Sequence, residues 1–265
     1  MSKIMKQETL SLLLKSYGRV AVGFSGGVDS TFLLWAAINA LGRENVLAVI
    51  ADTPTLPRRE FEGARQIAER LNAQVSVVMP NELDDPAYVA NPPDRCYICK
   101  RRIFSVIKAD AVAKGFLVVL DGSNADDRSD FRPGQRAAEE LGVKSPLAEI
   151  GITKREIREW SEAGGLPTAR KPAMACLATR IPFGVPVTRD VLTRIERAEE
   201  GLHDLGFSHC RVRHHGDTAR IEVPEDDIEK MLAPDVRQQV AQTVKAAGYR
   251  FAALDLLGYR MGNLN

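Results

Sequence analysis

Residues 19–31 read RVAVGFSGGVDST, and the reading of the whole chain turns on them. RVAVGF is a short β-branched apolar run, the pattern of a strand buried on both faces. SGGVDST follows without a spacer and opens a segment of helical periodicity. Glycine at 26 and 27 lets the backbone turn tightly and present amide groups to an anion. The helix start behind them adds unsatisfied N–H donors and a positive dipole end. Ser25, Ser30 and Thr31 supply hydroxyl donors, and Asp29 supplies a carboxylate for a metal beside the phosphates. Ser25, Gly26, Gly27, Asp29, Ser30 and Thr31 are therefore the expected phosphate cradle. The chain has neither a Walker loop nor a Gly-x-Gly-x-x-Gly dinucleotide fingerprint.

Working outward, Val46–Asp52, Gln74–Met79 and Phe116–Asp121 repeat the strand pattern. Amphipathic segments Ser30–Leu41, Pro57–Leu71 and Cys99–Lys114 alternate with them, and further helical stretches fill 133–163. This alternation predicts an α/β fold with a parallel sheet and helices on both faces. Ligands bind outside the carboxyl ends of strands in such sheets. Residues 121–127, DGSNADD, then Arg132 and Arg136, stand after the fourth strand, so Gly122, Asp127 and Arg136 join the expected nucleotide site. Residues 166–187 are irregular and carry four prolines across 166–186, with Cys176 among them. From Thr188 a helical stripe runs through Val191, Leu192, Ile195, Ala198, Leu202 and Leu205. A hairpin, two helices and a last strand at Phe251–Leu256 follow. The expected organisation is a nucleotide domain over 1–165, a cysteine-bearing loop over 166–187 and a smaller α+β domain over 188–265.

The 265 residues carry 36 basic and 35 acidic side chains, a formal net charge of +1. Such a balance gives no electrostatic field for nucleic acid or an anionic membrane. No apolar run approaches a membrane span and the first residues lack a signal-peptide core, so a cytoplasmic protein is expected. Four cysteines without an export signal do not form a disulfide scaffold.

SGGVDS, at this strand-to-helix position, resembles the PP-loop of enzymes that split ATP into AMP and pyrophosphate. The resemblance implies a fold like the adenine nucleotide α-hydrolases, ATP and Mg2+ as cofactors, and Asp52 close to the nucleotide. Such enzymes adenylylate a carbonyl oxygen, and a nitrogen or sulfur nucleophile then displaces AMP. There is no N-terminal cysteine nucleophile and no glutaminase domain, which weakens an amide-forming reading. Cys176 sits between Lys171 and Arg180, whose charges favour a thiolate. Cys96-x-x-Cys99 is open to a redox pair, half of a zinc site, or part of an iron–sulfur site. With Cys176 it would supply three thiolates, which would leave one iron of a [4Fe–4S] cluster open to carry sulfide. A zinc site would instead be completed by Cys210 or by one of His203, His209, His214 and His215. Cys210, beside Val212 on an alternating strand, reads as core.

Gly216-Asp217 reads as a hairpin turn that sets Arg211 opposite Glu222 and Arg213 opposite Arg220. Two facing arginines are unfavourable without an anion or an acid nearby.

Taken together, SGGVDS, ADTPTLPRRE, DGSNADD, RPGQRAAEELGVKSPLAE, KPAMACLATRIP and LDLLGYRMGNLN resemble the LarE-type ATP-dependent sulfur transferases over nearly the whole chain. The resemblance implies a pyridinium mononucleotide substrate whose two carboxylates become thiocarboxylates for nickel-pincer cofactor synthesis. It implies Cys176 as the sulfur donor, consumed to dehydroalanine in some members, and a cluster held by Cys96, Cys99 and Cys176 in others. It implies Arg211, Arg213, Glu222 and Arg260 as substrate contacts, with Arg180, Thr179 and Glu199 or Glu200 beside them. A homo-oligomer is expected on the same ground. Alternatives are a PP-loop tRNA thiolase, which the neutral charge disfavours, an amide-forming ATP pyrophosphatase, and a non-catalytic nucleotide-binding regulator.

Overall fold

The computed structural model describes residues 3–129, 133–172 and 174–260. Arg132, Ala173 and residues 261–265 of the closing motif lie outside the described residues. In chain order the elements are α1 (Lys3–Tyr17), β1 (Val20–Gly23), α2 (Val28–Leu41), β2 (Val46–Ala51), α3 (Arg58–Arg70) and β3 (Gln74–Val78). Then come α4 (Pro86–Val89), α5 (Arg95–Ala113), β4 (Val118–Leu120), α6 (Pro133–Glu140), α7 (Pro146–Ile150) and α8 (Lys154–Ala163). The remainder are α9 (Arg189–Asp204), β5 (Arg211–His215), β6 (Thr218–Glu222), α10 (Glu225–Leu232), α11 (Pro234–Ala246) and β7 (Phe251–Leu254).

The chain divides into two compact units: Met1–Glu82 with Asp94–Met174, and Leu83–Pro93 with Ala175–Asn265. This division differs from a simple cut at residue 165 in two ways. The first unit runs on through the start of the proline-rich segment, and a short detour, 83–93, belongs with the C-terminal residues. Backbone hydrogen bonds explain the detour: Gly184 donates to the Asn91 carbonyl and Val187 to that of Val89, at 3.0 and 2.9 Å. The buried Asn91 amide donates to the Pro182 and Val185 carbonyls, at 2.8 Å each.

The first unit holds a parallel sheet in the order β3-β2-β1-β4. The central strands β1 and β2 lack alternation because both faces are covered: Val20, Ala21 and Val22 are fully buried. The edge strand β3 differs from the expected pattern and alternates, with Val75 40% and Val77 45% exposed. One core, including Leu14, Val22, Phe32, Leu34, Ile50 and Ile157, packs one face, and Ala21, Val49, Phe104, Ile107 and Val119 pack the other. The helix α5 starts a turn earlier than the expected Cys99, directly after Pro92-Pro93-Asp94, so Cys96 and Cys99 share its first turns.

In the second unit β5 and β6 form the expected hairpin, with Arg211 opposite Glu222 and Arg213 opposite Arg220. β7 joins β6 in parallel, giving the order β5-β6-β7. The stripe of α9 buries Leu192, Ile195, Ala198 and Leu202, and Ala198 and Leu202 pack in one core with Val212, Ile221 and Val223. Cys210 is 1% exposed in that core, and burial pushes its thiol up to about 12. Among the described residues no helix is long and apolar enough to cross a membrane.

Candidate functional site

The phosphate loop leaves β1 at its carboxyl end and starts α2. Gly26 sits at φ +67°, where a side chain is strained, and a Cβ there would lie 2.8 Å from the Ala64 backbone. Gly27 caps α2 without any side-chain hydrogen bond to the helix start. The first amides of α2 thus keep the donors that an anion takes at a helix N-terminus. Ser30 Oγ is drawn inward, accepting from the Ser25 amide at 3.3 Å and meeting Ser25 Oγ at 3.1 Å. Thr31 Oγ1 is buried with no hydrogen-bond partner. Gly122, at the end of β4, backs onto this helix start: a Cβ there would lie 2.9 Å from the Ser30 nitrogen. Only glycine allows that approach.

Asp29 points one oxygen at Lys154 Nζ, at the start of α8, in an ion pair. Its other oxygen is buried and has no hydrogen-bond partner. Burial raises the Asp29 pKa above the ordinary carboxylate range, and Lys154 works against that rise. An unpaired buried carboxylate oxygen beside an open helix start fits a hard cation such as Mg2+. Lys154 is a residue that the sequence pattern does not single out. A lysine at the first position of an amphipathic helix reads as an ordinary solvated residue until the fold brings it to Asp29.

The surrounding carboxylates are organised by short local bonds. Asp121 accepts from Ser145 Oγ at 2.7 Å and from Ser123 Oγ at 2.9 Å. Asp127 accepts from the Asn124 amide at 3.0 Å, and Asp126 from the Lys154 amide at 2.9 Å. Asp52 pairs with Arg58 at 2.6 Å, at the carboxyl end of β2. Past it, Thr55 donates to the fully buried Glu82 at 2.6 Å, and burial raises the Glu82 pKa. Arg136 is placed differently from the others. It is exposed on α6, stacks over Tyr97 at 4.2 Å and pairs with Glu140 at 3.4 Å.

In the second unit Cys176 is half-buried and begins a single 3-10 turn, Leu177–Arg180. Its carbonyl accepts from Thr179 Oγ1 at 2.7 Å and from Arg180 Nη1 at 2.9 Å. Arg180 is 2% exposed and meets Glu199 through two bonds of 2.9 Å. It also bonds the Ala175 carbonyl and Thr179 Oγ1, so it braces the Cys176 turn. Burial opposes the Arg180 charge, but Glu199 together with Cys176 and Cys210 outweighs it, so the pKa is raised.

The hairpin arginines answer the expected repulsion internally. Glu222, fully buried, accepts from Arg213 at 2.7 Å and pairs with Arg220 at 3.2 Å, so the required acid belongs to β6 itself. Arg213 also donates to the Thr179 carbonyl at 2.9 Å, which joins the hairpin to the turn after Cys176. Arg211 is half-buried and lies 5.3 Å from the Tyr259 ring; burial lowers its pKa. Tyr259 is anchored to the Val223 carbonyl at 2.8 Å, leaving the neighbouring Arg260 exposed.

The cysteines divide between the units: Cys96 and Cys99 in the first, Cys176 in the second. Among the described residues no group of three or more His, Cys, Asp or Glu side chains comes together to hold a metal. The three-thiolate set expected for a [4Fe–4S] cluster is therefore not gathered as a ligand group among them.

Comparison with known proteins sharpens this picture. The NAD synthase family model matches residues 8–86, which contain the phosphate loop. An uncharacterised protein of Synechocystis sp. is 40% identical over 260 residues, 98% of this chain and 97% of its own. Pyridinium-3,5-bisthiocarboxylic acid mononucleotide synthase of Lactiplantibacillus plantarum is 38% identical over 260 residues, 98% of this chain and 94% of its own. An uncharacterised protein of Methanocaldococcus jannaschii is 29% identical over 242 residues, 91% of this chain and 91% of its own. With the PP-loop fold in the first unit and similarity running through the Cys176 segment to the hairpin, the chain belongs to the LarE family of ATP-using sulfurtransferases.

Proposed function

We propose that the protein adenylylates the carboxylates of pyridinium-3,5-biscarboxylic acid mononucleotide and converts them to thiocarboxylates, a step towards a nickel-pincer cofactor. The observation that carries this reading is full-length similarity to the pyridinium-3,5-bisthiocarboxylic acid mononucleotide synthase. The geometry supports it in two places. The open start of α2, with the unpaired Asp29 oxygen, suits a Mg2+-bound triphosphate. The arginine-rich hairpin suits an anionic mononucleotide.

In the proposed mechanism the amides of Gly26, Gly27 and the α2 start hold the phosphates. Ser25, Ser30 and Thr31 add hydroxyl donors, while Asp52, Gly122 and Asp127 shape the surrounding loops. Asp29 would hold Mg2+, which when bound would neutralise charge on the phosphates; Lys154, paired with Asp29, would meet the departing pyrophosphate. Arg211, Arg213, Glu222 and Arg260 hold the substrate, and Arg180 supports the turn. A substrate carboxylate oxygen attacks the α-phosphorus and pyrophosphate leaves. The Cys176 thiolate attacks the acyl carbon and AMP leaves, because the thiol itself is a poor nucleophile. Removal of the Cys176 Cα proton then breaks the Cβ–S bond, releasing thiocarboxylate and leaving dehydroalanine. We further propose a homo-oligomer acting in the cytoplasm on a small molecule, with no nucleic-acid or membrane partner.

The test supplies Mg-ATP and the biscarboxylate mononucleotide, then follows pyrophosphate and, by mass spectrometry, thiocarboxylate. Both products together support the proposal. Pyrophosphate release driven by tRNA, or by ammonia with an amide product, overturns it.

A further inference from the structure

The stretch after β7 turns on one side chain of the second unit. Asp255 follows the strand, donating its amide to the Ile221 carbonyl at 2.8 Å, and its side chain is 11% exposed. One carboxylate oxygen accepts from the Leu257 amide at 2.9 Å, the local bond by which an aspartate fixes a turn. The Asp255 carbonyl accepts from the Gly258 amide at 3.1 Å. Gly258 sits at φ +65°, and a Cβ there would lie 2.8 Å from the Val223 oxygen, so the turn needs glycine. Tyr259 then donates its amide to that Val223 carbonyl, with its ring 5.3 Å from the Arg211 guanidinium.

The other Asp255 oxygen pairs with Arg220 of β6. Strand register alone does not predict this pair, since Arg220 faces Arg213 across the hairpin and Ala253 on β7. Arg220 also meets Oε1 of Glu222 at 3.2 Å, while Arg213 takes Oε2 through Nε and Nη2, at 2.9 and 2.7 Å. Arg213, Glu222, Arg220 and Asp255 thus alternate in sign, and their charges cancel. Of the hairpin arginines, Arg211 alone has no carboxylate partner among the described residues; it bonds the Cys210 carbonyl at 2.8 Å. The uncompensated cation of the hairpin is therefore the one that the closing turn covers with Tyr259.

We propose that Asp255, clamped by Arg220, is a positioning residue for mononucleotide binding: it fixes the turn that seats Tyr259 beside Arg211, the cation that meets the anion. The proposal deepens the substrate reading above and rests on it for the identity of the ligand.

Asp255→Asn separates this role from a field effect. Removing a carboxylate makes the face more positive, so electrostatics alone would tighten the binding of an anion. A loosened turn weakens it instead. The full-length wild type and variant are titrated by calorimetry with pyridinium-3,5-biscarboxylic acid mononucleotide, and hydrogen exchange is followed by peptide mass spectrometry. The Kd of Asp255→Asn rises about tenfold or more, the size of a lost hydrogen bond to a charged group. Exchange quickens over residues 256–260 and stays slow over 211–222. Unchanged or tighter binding overturns the proposal, as does exchange over 256–260 that matches the wild type. Arg220→Met removes the clamp from the other side and decides the matter if Asp255→Asn does not fold. Weaker binding with quicker exchange over 256–260 then supports the proposal, and exchange like that of the wild type overturns it. A wild type without affinity for the mononucleotide would overturn the functional reading, while the exchange comparison still decides whether Asp255 holds the turn.

Discussion

Replacing Glu199 by Gln removes one charge from the most buried ion pair around Cys176. Arg180 is 2% exposed and its two bonds to Glu199 are 2.9 Å each. Gln keeps the volume and an oxygen for the Val212 amide, which bonds Glu199 at 2.9 Å. What remains is a buried guanidinium without a counter-charge. Breaking one side of such a pair destabilises by about 3–5 kcal/mol, whereas replacing both partners by apolar residues is close to neutral. With a urea slope of about 2 kcal/mol/M, the midpoint should fall by about 1.5–2.5 M. The assay is urea unfolding by far-UV circular dichroism, with tryptophan fluorescence recorded alongside. Trp35 and Trp160 both lie in the first unit, so fluorescence reports that unit and dichroism reports both. Glu199→Gln should move the dichroism transition by the stated amount. Arg180→Met with Glu199→Gln, which removes the charge and keeps an acceptor for the Val212 amide, should recover most of the loss. A shift under about 1 kcal/mol, or a double variant as unstable as Glu199→Gln, would refute the reasoning, because either result denies an uncompensated charge.

Further outcomes follow from the same geometry. Glu82 is fully buried with its pKa raised, so it binds its proton more tightly folded than unfolded. Its ionisation therefore weakens the fold increasingly as pH rises from its unfolded pKa through the raised value. Glu82→Gln should gain in melting temperature relative to the wild type as pH rises from about 4 to 8, on the ordinary Glu range; a pH-independent difference counts against this. Iodoacetamide at pH about 8, near the free-thiol pKa, should modify exposed Cys96 first and leave Cys210, pushed up to about 12, untouched; peptide mapping checks the order. Gly122→Ala places a methyl 2.9 Å from the Ser30 nitrogen and should weaken ATP binding measured by calorimetry, with unchanged affinity as the contrary result.

Much of the first unit was legible because its signals are local. The strand-to-helix glycine turn lies within residues 19–31, and strands buried on both faces leave contiguous apolar runs. The hairpin register was legible too, since a turn at 216–217 fixes every pairing behind it. Other features depend on contacts distant in sequence. Residues 83–93 join the second unit through carbonyls of 182 and 185, and nothing in their own composition announces that. Lys154 meets Asp29 from 125 positions away. Arg180 read as a charged flank of Cys176, and only the packing of α9 makes it a buried brace. Register placed Arg213 against Arg220, but the diagonal reach of Glu222 to both depends on side-chain direction.

The central claim is that ATP-driven activation precedes attack by sulfur from Cys176, and Cys176→Ser tests it most directly. Mg-ATP and pyridinium-3,5-biscarboxylic acid mononucleotide are supplied to the variant and the wild type, with pyrophosphate and thiocarboxylate measured in the same samples. The account predicts pyrophosphate from both proteins and thiocarboxylate from the wild type only. Thiocarboxylate formed by Cys176→Ser at the wild-type rate, or no substrate-dependent pyrophosphate from the wild type, would contradict it.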